Sequence, residues 1–409
     1  MSYFPTFNIG FADTPALDAF GRLRTSTPTT LFDSKQLADD RPLFWSTKVV
    51  TGATTDWRRN RASTTLSSSA AIGSTAIRQS KVRAPYLPGK SLSVAMSHVF
   101  GPSVAGVKKE AGLFDNEDGI FFQDNGGNFN LVLRSFVSGQ VVEQVMSQSA
   151  WNLDKFDGTG ASGITLDKTK AQISVIDFQW LGAGRVRAGF DVNGKLYYCH
   201  EFLNANVSSS VYISNPTLPI RYRIENVSAV AASTLEQICC TVQSEAGYDP
   251  KALVFTADRG TQVLSGATTD VTLPLVTIRL KSNYTGSYVV PKTAHIVCTT
   301  TVDLGFRWSL VLNPVFGPVD NAVWRDAMSS SIEYDVDRNY TNALTGGVVI
   351  ASGYGSDSSN TVEIDSIVDA LPFGSSIDGV CDELTFAVQV LQTQTTESYV
   401  ASMTWKEYA

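Results

Sequence analysis

From residue 89 onward, apolar and polar residues alternate in short runs, and clusters of Gly, Asn, Asp and Ser separate one run from the next. A period of two puts successive side chains on opposite faces of a strand, so the pattern predicts strands at residues 91–100, 119–123, 129–137 and 141–146. Asp124-Asn125-Gly126-Gly127 makes the turn between the second and third, and Ser138-Gly139-Gln140 the turn between the third and fourth. Strands follow at 171–180, 185–192 and 195–202, with a turn at 182–184. Asn193-Gly194 is the strongest hairpin signal in the chain, because a type I′ turn needs positive φ at both central residues. Further strands are predicted at 221–225 and 236–242. Beyond Asp249-Pro250 a second set begins, with strands at 275–280, 294–301, 306–312, 347–351, 384–391 and 399–408. Helical periodicity is nearly absent, and residues 361–371 are its best candidate. The chain therefore reads as all-β, with two β-sandwich, jelly-roll-like domains over residues 89–248 and 249–409.

Residues 1–88 lack sustained periodicity and are broken by Pro5, Pro15, Pro28, Pro42, Pro85 and Pro88, with a small-polar stretch at 62–69. They carry many aromatics, among them Phe20, Phe32 and Trp57, which a solvated tail rarely does. This segment reads as an extended N-terminal arm that docks on a neighbour. A chain of 409 residues exceeds what one core usually supports, which agrees with two domains plus an arm.

Charge sharpens the picture of the arm. Residues 1–90 hold twelve Lys/Arg against six Asp/Glu, whereas the remainder holds twenty against thirty-three. A basic arm on an acidic body points to an electrostatic contact made by the arm. Its densest cluster is Trp57-Arg58-Arg59-Asn60-Arg61. With one such cluster and an acidic body, docking onto acidic protein surfaces is favoured over nucleic acid. Charged residues are only 17% of the chain, as in subunits that bury much of their surface in assemblies. Five cysteines without a C-x-x-C pair indicate neither a zinc knuckle nor a redox motif, and buried free thiols fit assembly in a reducing cytoplasm. Met1-Ser2-Tyr3-Phe4-Pro5 shows no signal-peptide pattern, and no run approaches the roughly 18 apolar residues of a membrane span.

Two stretches carry a family resemblance. Asp18-Ala19-Phe20-Gly21-Arg22-Leu23-Arg24 followed by Thr30-Leu31-Phe32-Asp33-Ser34-Lys35 resembles the opening of structural proteins from the particles of tailed, especially marine, bacteriophages and of some large viruses. Trp151-Asn152-Leu153-Asp154-Lys155 through Asp177-Phe178-Gln179-Trp180-Leu181-Gly182 to His200-Glu201-Phe202 is similar to their central sandwich, and Ser402-Met403-Thr404-Trp405-Lys406-Glu407 to their close. The resemblance implies a virion component that partners capsid, neck or tail subunits and forms a homo-oligomer. It brings no catalytic residues and no cofactor. On it, Phe20, Arg22, Arg24, Phe32, Trp57, Arg58, Arg59 and Arg61 are the candidate docking residues.

The chemistry-bearing residues offer alternatives. Only His98, His200 and His295 are present, all in strand-like runs, and His200 and Glu201 would face opposite sides of a sheet. A Ser/His/Asp triad is not expected, and the chain reads as non-enzymatic. Two acidic loops, Asp115-Asn116-Glu117-Asp118 and Asp154 with Asp157, are turns first and candidate carboxylate pairs for polysaccharide cleavage second. The first loop is also the best calcium candidate by its oxygen content, without EF-hand spacing. The strand order around Asn193-Gly194 resembles concanavalin/laminin-G-like sandwiches, many of which bind sugars. Trp180, Tyr197 and Tyr198 are therefore candidate glycan contacts, with core packing as the plain alternative.

Overall fold

In the computed structural model, residues 27–228, 231–247, 251–265, 269–299, 305–317, 322–338, 343–356, 360–363, 373–392 and 398–408 are described. The first sandwich contains β1 (Thr29–Lys35), β2 (Trp45–Val50), β3 (Thr54–Arg58), β4 (Ser63–Ser68), β5 (Thr75–Ser80), β6 (Leu92–Val99), β7 (Val107–Phe114), β8 (Gly119–Asn125), β9 (Asn128–Ser135), β10 (Val142–Ser147), β11 (Gln172–Phe178), β12 (Val186–Val192), β13 (Lys195–Phe202), β14 (Ile220–Asn226) and β15 (Ser233–Ser244). The second contains β16 (Leu253–Asp258), β17 (Leu264–Ser265), β18 (Leu273–Leu280), β19 (Tyr288–Cys298), β20 (Phe306–Phe316), β21 (Arg325–Asp326), β22 (Ile332–Asp335), β23 (Leu344–Gly355), β24 (Asn360–Glu363), β25 (Glu383–Val390) and β26 (Ser398–Tyr408).

Each sandwich packs two antiparallel sheets. In the first, one sheet runs β13-β12-β11-β6-β15-β4-β3 with β1 also on β15, and the other runs β10-β9-β8-β7-β14-β5-β2. In the second, β16-β26-β19-β24 faces β21-β22-β18-β25-β20-β23. The predicted alternation is the physical basis of this packing. Along β6, Leu92, Val94, Met96 and His98 are buried and the residues between them half-buried. The inward sets of both sheets merge into one core that includes Leu66, Phe122, Phe190 and Tyr222. A separate core in the second sandwich is built on Phe306, Phe386, Tyr399 and Trp405, with the Phe306 and Tyr399 rings edge-on at 5.5 Å.

The turns form where the sequence places them. Asn193 and Gly194 take φ of 56° and 80°, the Asp191 carboxylate accepts the Gly194 N–H, and Val192 pairs with Lys195. The β8–β9 turn sits at Gly126-Gly127, and Asp124 and Asn125 belong to the strand before it. β7 was hidden by its Lys108-Lys109-Glu110 run. Lys109 points inward, and its ammonium donates to the Phe100 and Pro102 carbonyls at 2.5 and 2.8 Å. Of the weak helical candidate, residues 361–363 end β24 and the rest lies outside the described residues.

The arm requires a correction. Residues 29–80 are not an extended appendage, because β1 to β5 are integral strands of both sheets of the first sandwich. Phe32, read as a docking anchor, is a core residue, and so is Trp45. Phe32 and Trp45 are buried, their rings meet at 5.9 Å, Trp45 reaches Tyr222 at 6.1 Å, and the Trp45 indole N–H donates to the Ser34 hydroxyl at 2.8 Å. The first sandwich therefore starts by residue 29, and residues 1–26 lie outside the described residues.

This correction is testable by stability. Trp45→Ala should destabilise the first sandwich by about 3–5 kcal/mol, as for a fully packed aromatic. An unchanged urea midpoint would return Trp45 to a solvated arm.

Candidate functional site

The structure separates the sequence candidates clearly. Asp115-Asn116-Glu117-Asp118 forms the β7–β8 turn, but its oxygens diverge. One Asp115 oxygen accepts the backbone N–H groups of Glu117 and Asp118, both at 2.9 Å, and the other accepts Arg83 at 2.6 Å. Burial alone would raise the Asp115 carboxyl. Arg83 and these N–H groups outweigh it and hold the carboxyl below the usual carboxylate range. Asn116 accepts from Arg221 at 2.7 Å. Asp118 accepts the N–H groups of Phe136, Ser214 and Asn215 and the Ser214 hydroxyl. The loop is a turn lock rather than a calcium cradle, and no group of metal-ligating side chains occurs among the described residues.

The second acidic pair is similarly engaged. Buried Asp154 accepts the N–H groups of Phe156 and Ser162 at 2.9 and 2.7 Å. Exposed Asp157 accepts the Thr159 N–H and hydroxyl, which lower its carboxyl. Both organise their own loop.

The three proposed glycan contacts split between faces. Trp180 donates its indole N–H to the Ile213 carbonyl at 3.0 Å and meets Tyr86 edge-on at 5.8 Å, and Tyr197 packs against the core. Tyr198 lies on the opposite face. Its hydroxyl donates to Asp177, which also accepts Arg187 at 2.9 and 2.7 Å, and the Arg187 guanidinium sits 4.2 Å over the Tyr198 ring. Burial works to lower the Arg187 pKa, but Asp177 outweighs it and the net shift is upward, while burial and Asp177 both raise the Tyr198 phenol. A cavity of about 360 Å³ opens here, lined by Asp177, Gln179, Arg185, Arg187, Lys90 and Glu245.

Of the docking candidates, Phe20, Arg22 and Arg24 lie outside the described residues. Phe32 is core. Trp57 is half-buried and donates to the Gln36 carbonyl at 2.9 Å. Arg58, Arg59 and Arg61 remain exposed at the β3–β4 turn, with Arg58 3.3 Å from Asp56 and Arg61 2.6 Å from Glu236.

The histidines are spread across the fold. His200 accepts the Asn152 N–H at 3.2 Å, and burial lowers its pKa. His295 is on β19 in the other sandwich. His98 is fully buried, contacts the Ser174 hydroxyl at 2.9 Å and meets Phe100 edge-on at 4.9 Å. All five cysteines are free thiols, with Cys239 exposed beside buried Cys240.

The sequence reading missed the outer face of the second sheet. Phe114, Phe121 and Val132 form a buried apolar cluster there, on the side opposite the main core. Arg134 lies 4.9 Å over Phe121 and Arg221 5.4 Å over Phe114. Across the strands run Arg223–Glu110 at 3.3 Å, Gln123–Glu110 at 2.9 Å and Asn130–Gln123 at 3.3 Å. The available signal was the alternation Arg221-Tyr222-Arg223, which puts Tyr222 in the core and both arginines outside.

No protein-family model matches the chain. No curated protein matches it. Among solved structures it is similar to a protein of unknown function from Shewanella oneidensis MR-1, at 9% identity and TM-score 0.37, over 60% of this chain and 100% of that one. It is also similar to a glycoside hydrolase family 16 endo-glucanase from Bacteroides ovatus (8%, TM-score 0.35, 52% and 99%) and to a legume lectin-like domain from Entamoeba histolytica (10%, TM-score 0.32, 52% and 97%). At such identities and scores, function has to be argued from the side chains.

Burial of His98 has a measurable consequence. Desolvation lowers its pKa from 6.5 to about 3, so between these values the unfolded chain binds a proton that the folded chain excludes. Stability should fall as pH drops from about 6.5 towards 3, by up to about 1.4 kcal/mol per pH unit from this residue alone. Urea midpoints for His98→Gln should show a shallower dependence over that range. Identical slopes would show that His98 does not carry it.

Proposed function

We propose that this protein is a non-enzymatic structural component of a virus particle, joined to copies of itself and to other virion proteins through its sandwich edges and its N-terminal segment. The observation that supports this most directly is β23. Among the described residues it pairs only with β20, so it ends its sheet. It is twelve residues long and contains no charge and no proline. Val349 is 51% exposed and Tyr354 72%. Monomeric proteins often blunt such edges with Lys or Pro, because unpaired backbone groups beside apolar side chains template association. β23 has neither, although its pairing with β20 shifts register at three points. The edge strand β16 adds Leu253 and Val254, and β10 adds Val142 and Val145, all exposed. The virion assignment rests on the resemblance of residues 18–35, 151–202 and 402–407. Free thiols fit assembly in a host cytoplasm. The exposed Arg58, Arg59 and Arg61 fit a contact with an acidic neighbouring subunit.

The edge reading has a direct test. Val348→Lys with Val349→Lys places two ammonium groups on β23, and sedimentation at micromolar concentration should then show a shift from oligomer towards monomer. A wild-type chain that is monomeric under the same conditions would overturn self-association.

A second reading, glycan-binding host attachment, is supported by the cavity lined by Asp177, Arg187, Arg185 and Glu245. Its paired carboxylate and guanidinium groups offer alternating acceptors and donors to sugar hydroxyls. A glycan array with the full chain should show binding that Arg187→Ala abolishes, and uniform absence of binding would count heavily against it. Of the carboxylates considered for depolymerase chemistry, Asp115, Asp118, Asp154 and Asp157 are engaged in loop hydrogen bonds, and no cleavage activity is proposed.

A further inference from the structure

The two sandwiches meet at the segment 373–382. The Ser375 N–H donates to the Lys81 carbonyl and the Ile377 N–H to the Ser46 hydroxyl, both at 3.1 Å, and Lys81 lies 3.4 Å from Asp382. Gly374 is packed so closely that a Cβ there would fall 2.7 Å from the Lys81 carbonyl oxygen. Beside this contact lies a cavity of about 210 Å³, lined by Gln79, Arg83 and Arg221 from the first sandwich and by Thr285, Ser375 and Ser376 from the second.

Arg221 is the anomaly in this cavity. Its side chain belongs to a residue only 3% exposed, yet its hydrogen bonds go to neutral amides. Nε and Nη2 donate to the Gln79 carbonyl oxygen and Nη1 to that of Asn116. The neighbouring guanidiniums each have a carboxylate: Arg83 has Asp115 at 2.6 Å, Arg134 has Glu143 at 2.7 Å, and Arg223 has Glu225 at 2.6 Å. Among the described residues, Arg221 has none within ion-pair distance. Burial lowers its pKa to about 10. Asp115 opposes that shift, and Arg134, Arg83 and Arg223 add to it. A buried cation without a counter-charge is costly unless something else supplies the charge.

We propose that the junction is an oxyanion-binding site in which Arg221 and Arg83 hold a sulfate, phosphate or carboxylate group beneath the 375–379 turn. A planar guanidinium fork matches two oxygens of such a group, and the Phe114 ring, 5.4 Å from the Arg221 guanidinium, backs it. The cavity volume admits one such group. Two carboxylates also line it. Asp115 is already neutralised by Arg83 and two backbone N–H groups. Glu117 is exposed on the same turn and puts a negative charge at the rim that weakens the attraction for a bound anion. Because the walls come from both sandwiches, a bound anion also fastens them together.

Isothermal calorimetry of the full chain tests this, with sodium sulfate, inorganic phosphate and a sulfated disaccharide each titrated at constant ionic strength. One saturable site per chain is expected. Glu117→Gln should bind severalfold more tightly, and Arg221→Gln at least tenfold more weakly. Ser376→Asp keeps an acceptor for the Val380 N–H while placing a carboxylate on the rim, and it should also lose binding if Arg221→Gln fails to fold. A disaccharide preferred at least tenfold over sulfate would identify an acidic glycan as the source, and equal affinity a free anion. Absence of saturable binding for all three probes, or binding unchanged in folded Arg221→Gln or Ser376→Asp, would overturn the proposal.

Discussion

The first sandwich depends on β15, because this strand joins both ends of its domain in one ladder. One side of β15 pairs with β6 along most of its length. The other side is shared: Ser233 to Gln237 pair with β4, and Cys239 to Ser244 pair with β1. β1, β3 and β4, from residues 29–68, are thereby held at one end of a sheet whose other members, apart from β15 itself, come from residues 92–202. The ladder hydrogen bonds that result are between residues far apart in sequence, so they carry a large loop-closure cost and only cooperative packing can sustain them. The buried Arg78, which donates to Gln237 across the sandwich, ties the second sheet to the same strand.

That constraint explains what could be read from the sequence and what could not. Hairpins are local, so the strands flanking Asn193-Gly194 and Gly126-Gly127 were legible to within a residue or two. β1 to β5 were not, because β1, β4 and β5 take partners on β14 and β15 that lie far away in the chain, and because the sequence of all five is short and polar. Local periodicity cannot distinguish an arm that wraps a neighbour from strands that pair with the far end of the same domain. The aromatics were correctly judged too many for a solvated tail, but the surface they needed was their own core. β7 was missed for a related reason: a central strand can turn a lysine inward when loop carbonyls such as those of Phe100 and Pro102 are within reach of it.

The candidate sites follow the same division. Trp180, Tyr197 and Tyr198 were each candidate sugar contacts, but strand alternation and the bulge at the β12–β13 pairing, between Ala188 and Gly189, put them on different faces. Only Tyr198 reaches the outer face. The acidic loop at 115–118 was identified as a turn and as a metal candidate on the same composition. The structure shows that its oxygens are directed at backbone N–H groups and at Arg83 and Arg221, which sequence spacing cannot reveal. Arg221 itself was passed over because an arginine within a strand reads as a solvated residue. Its burial arises only because the second sandwich and the β7–β8 turn close over that end of the sheet.

The outer faces are where the two sandwiches differ in consequence. On the first, side chains facing away from the core are paired across neighbouring strands, from Arg134–Glu143 to Arg223–Glu110, over a small buried cluster of Phe114, Phe121 and Val132. Charge pairs with a buried side exclude water and fix geometry, so this face is suited to selecting a small polar or charged group. The second sandwich ends in β23, where glycine, valine and alanine replace charges and both strand faces meet solvent. Such an edge selects nothing by charge and offers backbone groups instead. Ordered charge pairs on one unit and, among the described residues, a long uncharged edge strand on the other are the surface features on which the proposed binding and assembly rest.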